Sequence, residues 1–140
     1  KKMTYKIVSK YVKDLSFEIP DAKTFFLLEK NIKDYKIKID INSKSLKEKI
    51  MEVNTRLSFE GKEGEKNNAR VEVLYSSIVT LEPKIEREEI EKILLVKVPT
   101  EIYPDIQKIV SILFEKSGFK KFDLDPINFQ NLYDAKNNQK

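Results

Sequence analysis

The stretch VPTEIYPDIQKIVSILFEKSGF, residues 98–119, is the most strongly patterned part of this 140-residue chain, and DLDPINFQNLY, residues 123–133, follows it closely. Branched apolar residues recur in the first segment at every third or fourth position. That spacing predicts a long amphipathic helix over residues 100–116. The second segment predicts a short extended link and then a last helix that begins near Asn128. The carboxyl-terminal part of the chain is therefore expected to be helical.

Proline and glycine mark the expected ends of these helices. Pro104 is expected in the first turn of the long helix, where a missing N–H costs little, and Gly118 is expected as its carboxyl-terminal cap. Residues 85–96 are charged first and apolar later, which predicts a separate short helix that follows a strand ended by Pro83.

The amino-terminal half shows the patterns of β-strands. Apolar and polar side chains alternate with period two over residues 35–41 and again over residues 51–60, as in half-buried strands. Residues 69–81 form a third such segment that is almost wholly apolar at its end. Residues 4–12 mix tyrosine, isoleucine and valine with lysine, and they predict a further strand.

Strands followed by helices indicate an α+β fold. We expect a four-stranded antiparallel sheet, connected as a meander, followed by a short helix, a long amphipathic helix and a C-terminal helix. Residues 21–33 lack a clean period and are interpreted as a crossover loop, and residues 61–68, with two of the three glycines, as a turn. The length fits one domain over residues 1–140, with residues 134–140 as a flexible tail.

Composition argues against several classes of protein. The chain has no cysteine and no histidine, and it contains no phosphate-binding or nucleophile motif, so we expect no enzyme, no metal site and no cofactor. The net charge is +4, but the 27 basic residues are interspersed with 23 acidic ones. No apolar run approaches the ~20 residues of a membrane-spanning helix. A cytoplasmic protein is expected.

Apolar residues point toward both sides of several predicted elements. Val73 and Leu74 are adjacent on one strand, and Ile112 and Phe114 lie off the main apolar stripe of the long helix. Apolar surface that the protomer leaves uncovered is usually an interface. We therefore predict an obligate oligomer, with the alternative of a monomer whose loop folds over the spare face.

The segments quoted above, residues 98–119 and 123–133, together with YVKDLSFEIPDA, residues 11–22, resemble the SecB family of protein-export chaperones. The resemblance extends over nearly the whole chain, and its specific positions lie in the first strand, in the two later strands and in the helical end. The matching positions are Tyr11, Lys13, Asp14, Ser16, Phe17, Glu18 and Pro20, then Glu52, Val53, Glu72 and Val73, and then Pro99, Pro104, Gly118, Phe119, Leu124, Pro126, Asn128 and Phe129.

The resemblance implies a homotetramer, a dimer of dimers, in which the long helices lie between the sheets. It also implies an ATP-independent holdase that keeps unfolded secretory precursors competent for translocation and delivers them to the SecA motor. The expected oligomer contacts are Ile102, Ile106, Ile109, Ile112 and Leu113.

Two sites follow from the same resemblance. The expected contacts with an unfolded client are Phe26, Leu28, Tyr35, Ile37 and Ile39, and the alternative is that these residues form ordinary core. The expected acidic face for the basic, zinc-bearing tail of SecA consists of Asp14, Glu18 and Glu72, and the alternative is a solvated strand edge.

The chain departs from the family in charge. It is net basic where the family is typically acidic, and Lys10, Lys13 and Arg70 flank the proposed docking carboxylates. Two competing functions remain open at this point. One is a SecB-like chaperone for a narrow client such as an antitoxin. The other is a small basic nucleic-acid-binding protein, whose affinity would fall steeply with salt.

Overall fold

A computed structural model describes residues 4–61 and 69–138 of the chain. The strands are β1 (Tyr5–Glu18), β2 (Lys36–Lys47), β3 (Ile50–Glu60) and β4 (Arg70–Leu81). The α-helices of the described residues are α1 (Ala22–Asn31), α2 (Arg87–Lys92), α3 (Val98–Lys116) and α4 (Phe129–Asn138). The predicted α+β class is confirmed. The predicted turn over residues 61–68 lies, apart from Gly61, outside the described residues.

The strands are arranged in the order β1-β4-β3-β2, and every neighbouring pair is antiparallel. The predicted meander is therefore wrong for β1, which pairs with β4 and not with β2. The link between β1 and β2 contains α1 and carries the chain to the opposite edge of the sheet, as in a Greek key. A two-residue turn ending at Lys49, with φ 63°, joins β2 to β3.

β1 extends to Glu18, whereas the sequence predicted a strand only over residues 4–12. Its register with β4 shifts between Ile7 and Ser9 and again between Val12 and Asp14. Each bulge inserts a residue that has no partner on β4, so the alternation of side chains changes phase twice. A period-two pattern is for that reason not visible along the whole strand.

α1 replaces the loop that was predicted over residues 21–33. The Asp21 side chain accepts a hydrogen bond of 2.7 Å from the backbone N–H of Thr24 and so caps the first turn. Leu28 is fully buried, and the ring of Phe25 lies 4.6 Å from that of Phe119, centroid to centroid. Thr24 and Leu28 are the buried residues of α1, and two buried positions are too few to give its sequence a continuous apolar stripe.

The predicted short helix and the long helix form one continuous helical segment. A π-helical turn, Ile93–Lys97, joins α2 to α3 immediately before Pro99. A proline ring crowds the carbonyl group four residues earlier, here that of Leu95, and the wider π turn relieves this contact. The Thr100 hydroxyl donates a hydrogen bond of 2.6 Å to the carbonyl of Val96. Pro104 consequently lies inside the helix and not in its first turn.

The core lies between α3 and the face of the sheet that we call the inner face. Val73 and Leu57 of the sheet meet Ile106, Val110 and Phe114 of α3, all of them fully buried. Phe114 is thus a central core residue, although the sequence placed it off the main stripe. The opposite, outer face carries Glu52, Asn54 and Arg56 of β3. At the carboxyl end, α4 continues through Asn138 and takes up most of the predicted tail.

Gly118 caps α3 as predicted. The N–H of Gly118 bonds to the carbonyl of Glu115, and the N–H of Phe119 bonds to the carbonyl of Phe114. This pair of bonds is a Schellman motif, and the rings of Phe114 and Phe119, 5.1 Å apart, supply its apolar contact. Gly118 adopts φ +88°, which residues with a side chain rarely adopt.

Gly118→Ala is expected to lower the free energy of unfolding by about 1–2 kcal/mol, because alanine is strained in the left-handed region. An added Cβ would meet only Phe25, at an ordinary 3.8 Å, so the cost is conformational and not steric. Chemical denaturation measures it, with Ser117→Ala at the preceding position as the control. Equal midpoints for both variants would contradict the assignment of the cap.

Candidate functional site

An apolar groove runs between β2 and the carboxyl-terminal segment of the chain. Three adjoining cavities of about 490, 380 and 120 Å³ make it up. Tyr35 and Ile37 line the first two, and Ile39 and Leu132 line the second and third, so the cavities are continuous. We call this feature the β2 groove. Its main apolar walls are Tyr35, Ile37, Ile39 and Ile41 on one side and Phe122, Ile127, Leu132 and Tyr133 on the other.

Hydrogen bonds from α3 hold the far wall of the groove in place. The Tyr103 hydroxyl donates to the backbone carbonyl of Asp125 at 2.7 Å, and the Gln107 amide donates to that of Leu124 at 3.0 Å. Burial, and then the charge of Asp125, raises the pKa of Tyr103 to about 12. The phenol therefore remains protonated, and remains a donor, at physiological pH.

One long edge of the groove is a strand with a free side. β2 is the last strand of the sheet and pairs only with β3 among the described strands. An edge strand presents N–H and C=O groups that another extended chain can pair with. The β2 groove therefore combines apolar pockets with a strand edge that is open to backbone pairing.

The structure separates the five residues that the sequence assigned to client contact. Tyr35, Ile37 and Ile39 line the β2 groove together, and Ile37 is 38% exposed. Leu28 is fully buried in the core, so its assignment is wrong, because a buried side chain is not accessible to a client. Phe26 is exposed on α1 and is not among the residues that line the described cavities.

The far wall of the groove was missed by the sequence analysis. Phe122, Ile127 and Leu132 lie in or beside the link before α4, among aspartate and asparagine residues. In the sequence, these residues appear only as isolated apolar positions in a polar segment. It could not be interpreted without knowing that this segment returns across the inner face to β2.

The three predicted docking carboxylates share the outer face of the sheet. Asp14 of β1 lies opposite Leu74 of β4, and Glu18 lies opposite Arg70. Glu72 lies between Arg70 and Leu74 on β4 and points to the same side. Asp14 and Glu18 are exposed, whereas the Glu72 side chain is only 15% exposed. The face therefore brings the three residues together in unequal environments.

A fourth carboxylate on the outer face, that of Glu52, was not assigned to a site from the sequence. Glu52 accepts hydrogen bonds from the Tyr11 hydroxyl at 2.7 Å, from Lys13 Nζ at 3.0 Å and from Asn54 Nδ2 at 3.1 Å. These bonds, the one from Tyr11 foremost, lower the pKa of Glu52 from 4.5 to about 2. Ser76 extends the network by donating to Asn54 at 2.6 Å. In this part of the outer face, the polar side chains are therefore already hydrogen-bonded to one another.

Glu52→Gln is expected to lower the free energy of unfolding at pH 7 by about 1–3 kcal/mol, since hydrogen bonds to a charged group are lost. The folded-state pKa of Glu52 lies below its ordinary value, so its contribution is complete above pH 4.5 and is lost as the pH falls toward 2. The difference from wild type should shrink over that interval. Denaturation at several pH values measures it, with the exposed Glu60→Gln on the same strand as control. A difference that is independent of pH would contradict the assignment.

The predicted oligomer contacts divide between core and surface. Ile102 and Ile106 are fully buried against the sheet of their own protomer, so the sequence assignment of these two is wrong. Ile109 and Leu113 are half-buried, and Ile112 is 45% exposed. One stripe of α3 thus forms the core, and the neighbouring stripe remains on the surface.

The surface stripe of α3 lies beside apolar residues of β1. Lys10 of β1 pairs with Asp105 of α3 at 2.9 Å, and the rings of Phe17 and Phe114 are 5.3 Å apart, so the two elements run side by side. Between these contacts the inner face of β1 carries Val12 and Leu15, 44% and 43% exposed. We call the combined surface the β1–α3 patch. Its members are Val12, Leu15, Ile109, Ile112 and Leu113.

Residues 4–61 and 69–138 contain neither a cluster of metal-ligating side chains nor a membrane-spanning helix. No group of three or more acidic side chains there is arranged to hold a metal ion. No helix of that part of the chain is long and apolar enough to cross a lipid bilayer.

The sequence and the fold match known proteins. Residues 1–140 match the family described as preprotein translocase subunit SecB. A SecB-named relative from Pelagibacter ubique is 40% identical over 136 residues, which cover 96% of this chain and 97% of the relative. Protein-export protein SecB 1 of Gluconobacter oxydans is 34% identical, with 92% and 80% covered.

A solved structure shares the fold at low sequence identity. A SecB-like chaperone of Mycobacterium tuberculosis, in complex with a peptide from an antitoxin, superimposes with a TM-score of 0.62 at 10% identity. The match covers 89% of this chain and 88% of the other. At this identity the likeness shows the fold alone.

Proposed function

The chain belongs to the SecB family of protein-export chaperones, and from that premise we propose that it holds unfolded precursors in the β2 groove and delivers them to the SecA motor. The family consists of chaperones, so the chain is not an enzyme. In this proposal it acts in the cytoplasm without ATP. It works as a homotetramer, a dimer of dimers, joined through the β1–α3 patch.

The open groove beside an edge strand is the observation that carries the proposal. A holdase must bind many unfolded sequences, which share only apolar side chains and a backbone. The walls of the β2 groove take up apolar side chains through burial of area, and the free edge of β2 pairs with backbone groups of any sequence. Neither interaction demands one particular client.

Three observations support the assignment of the outer face to SecA. Asp14 and Glu18 are exposed, they point to the same side of β1, and they lie away from the β2 groove at the other edge of the sheet. A basic tail of the motor could therefore bind while a client remains in the groove. Carboxylates at such a face would increase the association rate and make the affinity depend on salt.

The test is a coupled assay with the wild-type chain. We expect it to suppress aggregation of a denatured secretory precursor without ATP, with little dependence on salt, and to release the precursor on addition of SecA and ATP. A chain that leaves aggregation unchanged would contradict the holdase. If the chain suppresses aggregation but does not release the precursor to SecA, the holdase function is supported and the delivery step is contradicted.

A narrower client is the second candidate. The solved SecB-like chaperone with the same fold is in complex with a peptide from an antitoxin, and that complex motivates this alternative. Co-purification from the native cell separates the alternatives, because a dedicated chaperone would retain one antitoxin and a general one would retain SecA and mixed precursors. The mixed charge of the outer face, with Glu52 and Glu72 paired to cations, supports a protein partner over nucleic acid.

A further inference from the structure

Glu72 is held between two arginines on the outer face. Arg56 donates a hydrogen bond to one carboxylate oxygen of Glu72, and Arg70 donates to the other at 3.3 Å. The Glu72 side chain is 15% exposed, while those of Arg56 and Arg70 are 41% and 62% exposed. Both oxygens of this carboxylate are therefore occupied by cations of the same protomer.

The backbone fixes this arrangement. Arg56 lies opposite Leu74 on β4 and is therefore diagonal to Glu72, and Arg70 precedes Glu72 by two residues on the same strand. Diagonal neighbours on one face of a sheet are within reach of long side chains. The hydrogen bond from Arg56, and then that from Arg70, keeps the pKa of Glu72 below its ordinary value.

Asp14 and Glu18 differ from Glu72 in this respect. Both are exposed on β1, and neither forms an ion pair with any side chain of residues 4–61 and 69–138. A cation of a partner can approach them without displacing another group. To reach Glu72, the same cation must replace a guanidinium that already makes a charge-assisted bond, and the exchange gains little.

We propose that Arg56 and Arg70 act as internal counter-ions that withhold Glu72 from a basic partner and thereby set the affinity of the outer face. The inference rests on the proposed docking of SecA, and it concerns the regulation of that same face. Asp14 and Glu18 then provide the negative charge that a partner can reach, and Arg56 and Arg70 determine how much of the charge of Glu72 is available in addition. The arginines also repel an approaching cation, most of all the more exposed Arg70.

The test measures binding of the zinc-loaded carboxyl-terminal tail peptide of SecA to the full chain by calorimetry. Replacing both arginines, Arg56→Gln with Arg70→Gln, is expected to raise the affinity about tenfold at low salt and to make its salt dependence steeper. Adding Glu72→Gln to that variant should cancel the gain. Arg87→Gln on α2 with Lys30→Gln on α1, which together also remove two positive charges, both from exposed helical positions, is the matched control.

The outcomes separate the inference from the function on which it rests. If wild type and the double variant bind the peptide equally, or if the double variant binds more weakly, the counter-ion role is wrong and docking stands. If neither binds, both the docking and the counter-ion role are wrong. A gain that the Arg87→Gln, Lys30→Gln control reproduces would show an effect of net charge and would also overturn the inference. Native mass and denaturation midpoints verify that each variant is folded.

Discussion

Replacing Tyr35 and Ile37 together with alanine is expected to weaken capture of an unfolded precursor roughly 30- to 160-fold. Both side chains line two of the three cavities of the β2 groove and are partly exposed there. Covering each by a client contributes about 1–1.5 kcal/mol, half the value for full burial of a large apolar side chain. A total of about 2–3 kcal/mol corresponds to that range of affinity.

The matched control lies on the same strand. Leu46 is 45% exposed near the far end of β2, and it lines none of the cavities of the groove. Leu46→Ala removes a similar exposed apolar side chain and should leave capture of the precursor unchanged. The measurement is the concentration of chaperone that halves light scattering by an aggregating precursor. Full suppression by a well-folded Tyr35→Ala, Ile37→Ala variant would move the client site away from the groove.

Replacing Leu15 and Ile112 together with aspartate (Leu15→Asp, Ile112→Asp) is expected to dissociate the assembly into smaller species at micromolar concentration. Both side chains lie in the β1–α3 patch, and both are more than two-fifths exposed in the protomer, so the fold itself should tolerate the change. In a symmetric interface each substitution occurs on both partners. An ionised carboxylate without a partner is costly to bury, by several kcal/mol.

Leu46→Asp serves as the control for the change in charge. It places the same carboxylate at an exposed apolar position of β2, outside the β1–α3 patch. Sedimentation or light scattering should give a lower mass for the patch variant and the wild-type mass for the control. An unchanged mass for Leu15→Asp with Ile112→Asp would show that the β1–α3 patch is not the interface and that the oligomer forms through another surface.

Local patterns in the sequence were sufficient to predict most of the secondary structure. β2 and β3 alternate with period two because the inner face of each strand carries mainly apolar side chains and the outer face carries polar ones. Gly118 was predictable because a positive φ favours glycine after a helix. α1 was not predictable, because the core contacts that stabilise it, such as the burial of Leu28, depend on distant parts of the chain.

Contacts between distant segments explain the errors. Pairing of β1 with β4 depends on the register of two strands that are far apart in sequence, and two bulges hide it. The stripe of α3 that contains Ile102 and Ile106 was assigned to the oligomer, yet it packs against the sheet of its own protomer. An apolar helix stripe has the same sequence signature whether it meets its own sheet or a sister subunit. Only the three-dimensional structure distinguishes the two cases.

The central claim is that apolar surface left open on one protomer is covered in part by sister copies and in part by unfolded clients. Native mass spectrometry of the wild-type chain, alone and with a denatured precursor, tests it most directly. We expect four copies of the chain in the free state and the same four copies plus precursor in the mixture. A single chain of 16.5 kDa that gains no mass with the precursor would contradict the claim.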